Sequence, residues 1–455
     1  MLLAEKLARW THKLKYSDLT KDAIHETKRR FIDSLGTALG AYRSKPATIA
    51  RATAETVPFP RNGSAIVGTL SRTTPDLAAF ANGAAIRYLD YNDTYLSKEP
   101  AHPSDNIAAT LAVAQAANRS GRDLILATVI AYEIQCRLCD AASLRAHGWD
   151  HVTYGAFSST LGAAKLWGLT PEQMVHAQGL AGVCNIATRQ TRTGQISMWK
   201  ACAFSNAARN AVFAANLARQ GFTGPHEIFE GPKGVFKMLT QCRFDVKLGS
   251  KSAGYMINKT YIKYWPAEYH AQSSIDAALQ IRRQFLKDGY SWKDIKKLDM
   301  ESFEAAVSII GSEPEKWRPT SRETADHSMG YMTVAALIDG DVTRDTFSPK
   351  KFTSRKYLDL LDNTTIVEAA DLNRGYPDGI PNRLRLRMKD GKVYEKTVKY
   401  PRGHAGNPMS DQEVETKFRT LADGVISRKL QDQLLGQMWS LDRSKDSRKL
   451  WSFKV

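Results

Sequence analysis

The segment 90–104 contains residue types that could move a proton and hold a charged ligand. Two carboxylates lie three residues apart, a hydroxyl stands beside the second, and a histidine follows between prolines. The sequence is Asp90-Tyr-Asn-Asp93-Thr94-Tyr95, a polar bridge, and then Pro100-Ala-His102-Pro103-Ser104. Histidine exchanges a proton near pH 7, and a neighbouring carboxylate can polarise it. The residue types and their spacing indicate a reactive site.

A predicted helix precedes this segment. Pro75 stands at a first helical position, where a missing N–H costs nothing, and the apolar pattern continues to Tyr88. If the helix persisted further, Asp90 and Asp93 would share one face near its last turn.

A second predicted helix, 107–118, follows the segment. Ser104 or Asp105 can cap its N-terminus, which favours negative charge, and His102 beside it could help to hold a carboxylate. The alternative interpretation is that both aspartates are solvated and that His102 is an ordinary loop residue.

Length and composition predict a soluble globular protein of two domains. The chain has 455 residues, 43% of them apolar and 24% charged. No run of 18 apolar residues predicts a membrane span, and the first residues do not resemble a secretory signal. The predicted location is the cytoplasm.

The cysteines fit a reducing compartment. There are five, an odd number, which argues against a disulfide framework. Cys136 and Cys139 form a CxxC inside a predicted helix, and Cys184 could join them at an iron–sulfur cluster. No second closely spaced set of thiols supports that hypothesis, so no cofactor is predicted.

The net charge of +17 requires an explanation. Nucleic acid, an anionic membrane surface or a polyanionic small substrate could each use it. The basic residues are scattered, and no recognised nucleic-acid motif is present. We therefore interpret most of the excess as a solvated basic surface, and expect neither nucleic acid nor a membrane as a partner.

The first 245 or so residues predict an all-α domain. Strand signals are nearly absent, and Thr170 to Gln173 form a capping box with proline at the first position. The segment 154–167 is rich in Gly, Ala and Ser, which permits close helix contacts. The predicted helices cover 23–39, 107–118, 124–143, 154–167, 174–187 and 205–220.

A smaller α+β domain is predicted after Lys263. The segment 295–304 has a strand pattern, and period-two alternation on both sides of Asp390-Gly391 predicts a β-hairpin with a type I′ turn. Helices are predicted at 270–287, 328–338 and 354–361. A second capping box at Ser410 to Glu413 begins helices that run to about 438, which we assign to the first domain.

Six stretches together resemble the MmgE/PrpD family, which includes 2-methylcitrate dehydratase and cis-aconitate decarboxylase. They span nearly the whole chain in the family's order. They are Tyr88-Leu-Asp90-Tyr-Asn-Asp93-Thr94 with His102-Pro-Ser, Gly148-Trp-Asp-His151-Val-Thr-Tyr154, Ser197-Met-Trp-Lys200-Ala-Cys-Ala, Lys263-Tyr-Trp-Pro-Ala-Glu268, Arg322-Glu-Thr-Ala-Asp-His327-Ser-Met-Gly-Tyr331 and Tyr400-Pro-Arg-Gly-His404.

The resemblance implies a mainly α fold. A large helical domain is built from both ends of the chain (1–264 and 408–455), with an inserted α+β lid domain (265–407) and a site in the cleft between them. It also implies a homodimer that works without an iron–sulfur cluster. Carried over position by position, the active-site set is Asp90, Thr94, His102, His151, Lys200, Lys263 and Tyr331. The wording around Lys200 and His327 is more like the dehydratase branch, and Glu268 stands where the decarboxylases have a histidine.

Dehydration of a hydroxylated tricarboxylate needs a base, a proton for the leaving hydroxyl and cations to offset the growing negative charge. Lys200 and Lys263 are the predicted substrate-binding residues. His102 and His151 could exchange a proton near pH 7. Tyr331 could act as an acid or orient a carboxylate. Which residue is base and which is acid is not determined by the sequence.

Four other functions stay open at this point. Within the family, a decarboxylase or an epimerase of a related polyacid would use a similar site. Outside it, Asp90 and Asp93 with His102 could hold Mg²⁺ or Zn²⁺, although no second acidic cluster is evident. A basic nucleic-acid-binding protein is the alternative that is not an enzyme.

Overall fold

Helices make up most of this chain, and the prediction of a mainly α fold is confirmed. The computed structural model describes residues 1–194 and 196–455. Backbone contacts divide it into unit 1, which contains Met1–Arg192, Met198–Thr260 and Ser410–Val455, and unit 2, which contains Thr193–Ser197 and Tyr261–Met409. The domain bounds predicted from the sequence, 1–264 with 408–455 and 265–407, remain a prediction.

The N-terminal part of unit 1 is a succession of helices with one short antiparallel strand pair, β1 (Ser64–Ala65) and β2 (Arg72–Thr73). The helices are α1 (Leu3–Lys13), α2 (Lys21–Gly40), α3 (Lys45–Glu55), α4 (Pro75–Tyr88), α5 (Asn106–Ala116), α6 (Gly121–Ala141), α7 (Val152–Trp167), α8 (Pro171–Cys184), α9 (Trp199–Arg219) and α10 (Val235–Met238). Within the part of the chain that is described, none of the helices has the length and apolar character that a bilayer crossing requires.

Two of these helices differ from the predicted bounds in ways that affect the site. The helix expected from residue 205 begins earlier, at Trp199, so Lys200 lies in its first turn. The helix expected to reach residue 187 ends earlier, at Cys184. At its N-terminus, the predicted capping box at Thr170 is confirmed. A short non-helical stretch follows α8 and leads into a 3-10 turn, Arg189–Arg192.

Helix α9 packs on both α4 and α7, and a glycine makes the second contact possible. A Cβ on Gly155 would lie 2.2 Å from the ring of Phe204, which is closer than a real Cβ approaches another atom. The small residues predicted to allow close helix contacts therefore do so here. This approach places the ring of Phe204 6.5 Å from that of His151.

Unit 2 combines helices with a four-stranded sheet. The strands are β3 (Ile295–Ser302), β4 (Thr364–Glu368), β5 (Asn382–Met388) and β6 (Val393–Val398), in the order β4-β3-β5-β6 with β3 and β4 parallel. Strand β4 was not predicted. The helices are α11 (Gln272–Lys287), α12 (Glu304–Ala306), α13 (Pro314–Trp317), α14 (Arg322–Ala325), α15 (Met329–Asp339), α16 (Pro349–Phe352), α17 (Arg355–Leu361) and α18 (Ala370–Asn373).

The hairpin of β5 and β6 is confirmed, but the predicted turn type is wrong. A type I′ turn needs positive φ at both central residues, whereas in this turn only Gly391 has one, at 96°. The amide of Gly391 donates to the carbonyl of Met388 at 3.1 Å, as expected for a type I turn that ends in a left-handed glycine. Lys389 and Asp390 keep negative φ, so the positive φ falls on residue 391, and glycine is needed there.

Two of the arginines that alternate along β5, Arg383 and Arg385, are paired with acids. Arg385 lies opposite Glu395 on β6, with 2.8 Å between guanidinium and carboxylate, and Arg383 is bonded to Glu301 on β3. Opposite charges across neighbouring strands stabilise a sheet and largely neutralise its surface. This part of the positive charge is therefore not arranged as a basic binding face.

The C-terminal helices α19 (Asp411–Ala422) and α20 (Arg428–Trp439) return to unit 1, where α19 packs on α2. The capping box at Ser410 is confirmed. The contact contains a buried ion pair, in which Lys417 Nζ lies 2.6 Å from Asp33. The same ammonium donates to the carbonyl of Tyr91 at 2.7 Å and lies 3.7 Å from the centre of its ring. Lys417 therefore holds the C-terminal segment against α2 and the segment 90–104.

Replacing Lys417 with methionine is expected to destabilise the fold by about 3–5 kcal/mol, because it leaves the carboxylate of Asp33 buried without its cation. Urea unfolding followed by circular dichroism measures the change. Lys429→Met, at an exposed position of α20, is the matched control. A loss below about 1 kcal/mol, the value typical of an exposed pair, would show that the pair does not anchor the segment.

Candidate active site

The segment 90–104 is not a continuation of α4. The helix ends at Tyr88, and Asp90 has a φ of 50°, in the left-handed region that aspartate tolerates better than most residues. The helix does not persist beyond Tyr88, so Asp90 and Asp93 do not share a helix face. The left-handed residue turns the chain away from the helix axis, and the two carboxylates point to different partners.

Asp90 lies between two cations. Its carboxylate accepts from Nη1 of Arg87, one turn back on α4, and lies 3.5 Å from Nζ of Lys200 in the first turn of α9. The exposed side-chain fractions are 1% for Asp90, 2% for Arg87 and 5% for Lys200. The interpretation of Asp90 as a solvated carboxylate is therefore excluded, and Lys200 is not a surface lysine.

Asp93 has a separate set of partners, which tie the segment to the helices around it. One carboxylate oxygen accepts from the backbone amide of Ser104 at 2.8 Å. The other accepts from the hydroxyl of Tyr132 on α6 at 2.8 Å and lies 3.3 Å from Arg30 on α2. Because Asp90 and Asp93 bind different groups, this geometry does not support a metal ion held by both.

The loop that precedes His102 is closed by a backbone bridge between Tyr95 and Ala101. Tyr95 and Ala101 exchange two backbone hydrogen bonds of 2.8 and 2.9 Å, and the hydroxyl of Thr94 donates to the carbonyl of Ala101 at 3.0 Å. Thr94 therefore shapes the loop next to His102. Its predicted catalytic role stays a prediction.

His102 is held in one tautomer by its neighbours. Its Nδ1 lies 2.9 Å from the carbonyl oxygen of Asp93, which can only accept, so Nδ1 carries the proton. Its Nε2 lies 2.9 Å from Nη2 of Arg87, which can only donate, so Nε2 presents its lone pair. His102 is therefore a neutral imidazole with its basic nitrogen turned to Arg87.

The predicted cap of α5 is wrong. Asp105 stands at the N-cap position of α5 but makes no side-chain capping bond, because a short 3-10 turn, Pro103–Asp105, comes first. The side chains of Ser104 and Asp105 instead accept from Nδ2 of Asn92, at 2.9 and 2.8 Å. Asp105 also lies 3.8 Å from Nε of Arg87. Burial raises the pKa of Asp105 to about 7, and the charge of Arg87 opposes this shift.

His151 lies at the N-terminus of α7, and its ring stands edge-on to that of His102 with 5.6 Å between centroids. Its Nε2 lies 3.3 Å from Nη2 of Arg192, and its Nδ1 lies 3.4 Å from a carboxylate oxygen of Asp150. Burial lowers the pKa of His151 to about 3, with the charge of Arg192 acting in the same direction and that of Asp150 against it. His151 is therefore neutral near pH 7.

Arg192 ends the 3-10 turn that follows α8, and Asp150 binds its side chain there. Its Nε donates to Asp150 at 2.9 Å, and the amide of Asp150 donates to the carbonyl of Ala187 at 2.8 Å. Although burial opposes it, Arg192 followed by His151 lowers the pKa of Asp150. Two neighbouring histidines thus each face an arginine that is paired with an aspartate.

Two comparisons with known proteins bear on this arrangement. The family model described as MmgE/PrpD N-terminal domain matches residues 5–246, and that of the MmgE/PrpD C-terminal domain matches residues 265–442. The chain belongs to the MmgE/PrpD family. The resemblance inferred from the six sequence stretches is thereby confirmed.

Three curated relatives have the same sequence identity to this chain. A 2-methylcitrate dehydratase of Cupriavidus necator is 30% identical over 94% of this chain and 91% of its own length. A probable 2-methylcitrate dehydratase of Saccharomyces cerevisiae is 30% identical over 84% and 78%. The alkylcitrate dehydratase phiI of a fungal species is 30% identical over 93% and 88%.

The remaining predicted residues of this MmgE/PrpD chain lie in unit 2. Lys263 is 1% exposed, and it is one of the charges that lower the pKa of Glu268 to about 2 against the effect of burial. The larger lowering influence is His270, whose amide and Nδ1 lie 2.7 and 2.8 Å from the carboxylate of Glu268. The hydrogen bonds from His270 therefore hold the carboxylate of Glu268 in a fixed position.

Tyr331 is fully buried inside unit 2. Its hydroxyl donates to the carbonyl of Thr346 at 2.5 Å, its ring packs edge-on to Tyr357, and burial raises its pKa. These contacts are those of a packing residue, so its role as an acid stays a prediction. Unit 1 therefore brings together Asp90, Thr94, His102, His151 and Lys200, and unit 2 contains Lys263 and Tyr331.

The sequence analysis did not identify four charged residues that contact the predicted site residues or lie next to them. They are Arg87, Asp105, Asp150 and Arg192. Two of them had a local signal, since Arg87 precedes Asp90 by one helical turn and Asp150 adjoins His151 in a stretch that matches MmgE/PrpD proteins. Asp105 was considered only as a helix cap. No sequence pattern pointed to Arg192, because it contacts Asp150 and His151 only through the tertiary fold, about 40 residues away along the chain.

Proposed function

We propose that this protein is a 2-methylcitrate dehydratase, a hydro-lyase that removes water from 2-methylcitrate to give 2-methyl-cis-aconitate. The main support is the neutral His102, whose tautomer is fixed by Asp93 and whose basic nitrogen lies in the same buried cluster as Lys200. The names of relatives that cover most of the chain support the choice of substrate.

The charge of the cluster suits an anionic substrate. Arg87, Lys200 and Arg192 are cationic, and the carboxylates of Asp90 and Asp150 are paired with them, with Asp105 3.8 Å from Arg87. Proton removal beside a carboxylate spreads negative charge onto its oxygens, and buried cations stabilise such charge more strongly than water does. Lys200 is the proposed ligand of that carboxylate, with Lys263 as a second predicted ligand.

His102 is the proposed base. Its Nε2 takes the proton from the carbon next to the carboxylate, the C–H electrons form the new double bond, and the C–O bond to the hydroxyl breaks. The imidazolium then returns its proton to the departing hydroxide, which leaves as water, so the enzyme ends as it began. His151, which is neutral and backed by Asp150, is proposed to orient the substrate beside this base.

An ultraviolet assay tests the proposal. Purified protein is incubated with 2-methylcitrate, citrate and a 2-alkylcitrate with a longer chain, and the absorbance of the conjugated product is followed. Fast product formation from 2-methylcitrate is expected, unchanged after treatment with a chelator. A preference for the longer chain would favour the activity named for the fungal relative.

The same assay separates the alternatives within the family. Release of CO₂ from cis-aconitate without dehydration would indicate a decarboxylase. Exchange of the substrate proton with solvent, without an absorbance change, would indicate an epimerase. Either result would refute the dehydratase proposal.

We also propose that the enzyme works as a homodimer in the cytoplasm. The five cysteines are all free, which agrees with a reducing compartment. Light scattering after gel filtration is expected to give about twice the chain mass of 50.6 kDa. A mass near that of one chain would refute the dimer.

A further inference from the structure

Arg87 connects three polar groups of the site at once. Its Nη1 is bonded to Asp90, its Nη2 donates to Nε2 of His102 at 2.9 Å, and its Nε lies 3.8 Å from Asp105. The guanidinium presents its donors in a rigid planar fork, so it can hold all three directions together. With a side chain only 2% exposed, it is a fixed part of the interior.

The direction of each hydrogen bond determines the state of His102. The carbonyl of Asp93 accepts from Nδ1, so in the neutral ring Nε2 holds the lone pair. A second proton on Nε2 would face the N–H groups and positive charge of Arg87. Arg87 therefore opposes protonation of His102 while it accepts the neutral ring as a partner.

We propose that Arg87 is a positioning residue that keeps His102 neutral, with Nε2 as its proton acceptor. The proposal rests on the proposed function, in which His102 is the base. When Nε2 of His102 turns from the arginine N–H to the substrate C–H, Arg87 stays in place, because Nη1 remains bonded to Asp90 and the charge of Asp105 lies 3.8 Å from Nε. The base is thus kept unprotonated until it reacts.

Charged groups of several elements act on His102 besides Arg87. Asp105 and Asp90 offset part of the arginine charge, and the ionised fraction of Asp105 changes near neutral pH because burial raises its pKa to about 7. Within unit 1, the titratable or charged groups around this ring are Arg87 on α4, Asp90, Asp93 and Asp105 on the segment itself, Tyr132 on α6, His151 at the start of α7 with Arg192 behind it, and Lys200 on α9.

Nuclear magnetic resonance of the free protein tests the tautomer without any activity. In protein labelled with ¹⁵N-histidine, the signals of His102 are assigned by their loss in His102→Asn. The wild type is expected to show a protonated Nδ1 and an unprotonated Nε2. In Arg87→Gln the ring should protonate at a pH about one unit higher, because a cation has been removed beside Nε2. Arg43→Gln, at an exposed arginine, is the control.

Two results would overturn the proposal. One is a wild-type ring protonated at Nε2, and the other is the same titration of His102 in wild type and Arg87→Gln. If Arg87→Gln does not fold, Arg87→Lys replaces it. Lysine keeps the charge but cannot hold three partners, so both tautomers of His102 should appear, and a single Nδ1-protonated form would contradict the role of the fork.

A double-mutant cycle tests whether Arg87 acts through His102. Arg87→Gln alone is expected to lower kcat by about 10–100-fold with KM nearly unchanged, and to add nothing in the His102→Asn background. Losses that multiply would show that Arg87 acts independently. If wild type processes none of the substrates, the proposed function fails, while the resonance experiment still decides the state of His102.

Discussion

Replacing His102 with asparagine is expected to lower kcat by about 10²–10⁴-fold, the usual contribution of a general base. The amide nitrogen of asparagine can still donate to the carbonyl of Asp93, as Nδ1 does, so the loop should keep its shape. The substitution removes Nε2, the only basic nitrogen of the ring. Steady-state kinetics with 2-methylcitrate measure the loss.

The control for His102 is His226→Asn, at an exposed histidine of unit 1 that lies 3.7 Å from Glu5. It should leave kcat unchanged. A thermal unfolding scan is needed beside the kinetics, and His102→Asn should unfold within a few degrees of wild type. Full activity in a folded His102→Asn protein would remove His102 as the base.

Replacing Lys200 with methionine is expected to lower kcat/KM by about 10²–10³-fold, as when a charge-stabilising donor is removed from an active site. A buried cation in the first turn of a helix is opposed by the helix dipole, so Lys200 needs an anion nearby. Asp90 supplies one at 3.5 Å and is shared with Arg87. The substrate carboxylate is the second anion that we propose for this ammonium.

The fold should tolerate Lys200→Met, because Asp90 keeps its bond to Arg87. Lys233→Met, at an exposed lysine, is the control for loss of a positive charge. Kinetics should show a fall in kcat as well as a rise in KM, since the carboxylate gains charge in the transition state. A change confined to unfolding temperature would assign Lys200 a purely structural role.

We expect His151 to contribute to the pH dependence of the free energy of unfolding. Its folded pKa of about 3 lies below the ordinary value for histidine, so the unfolded chain binds more protons between these two values. Stability therefore rises with pH across this window and falls when the solution is acidified through it. His151→Gln is expected to weaken this dependence in unfolding curves measured from about pH 4 to 7.

The sequence determined the helical character of this protein, its capping boxes, its hairpin and the residues that belong to the MmgE/PrpD pattern. Those features depend on periodicity, on turn residues and on contacts between residues close along the chain. Helix α2, the boxes at Thr170 and Ser410, and the glycine of the 390–391 turn all follow from such local rules.

Only the tertiary structure decided which groups face one another. Asp90 and Asp93, three residues apart, bind unrelated partners because one left-handed residue ends the helix, and no spacing rule predicts that turn. His102 meets Arg87, and His151 meets Arg192, through hydrogen bonds set by the path of separate segments. Protonation states depend on burial and on charges brought from distant parts of the chain, so the chemistry of both histidines could be assigned only once the chain was folded.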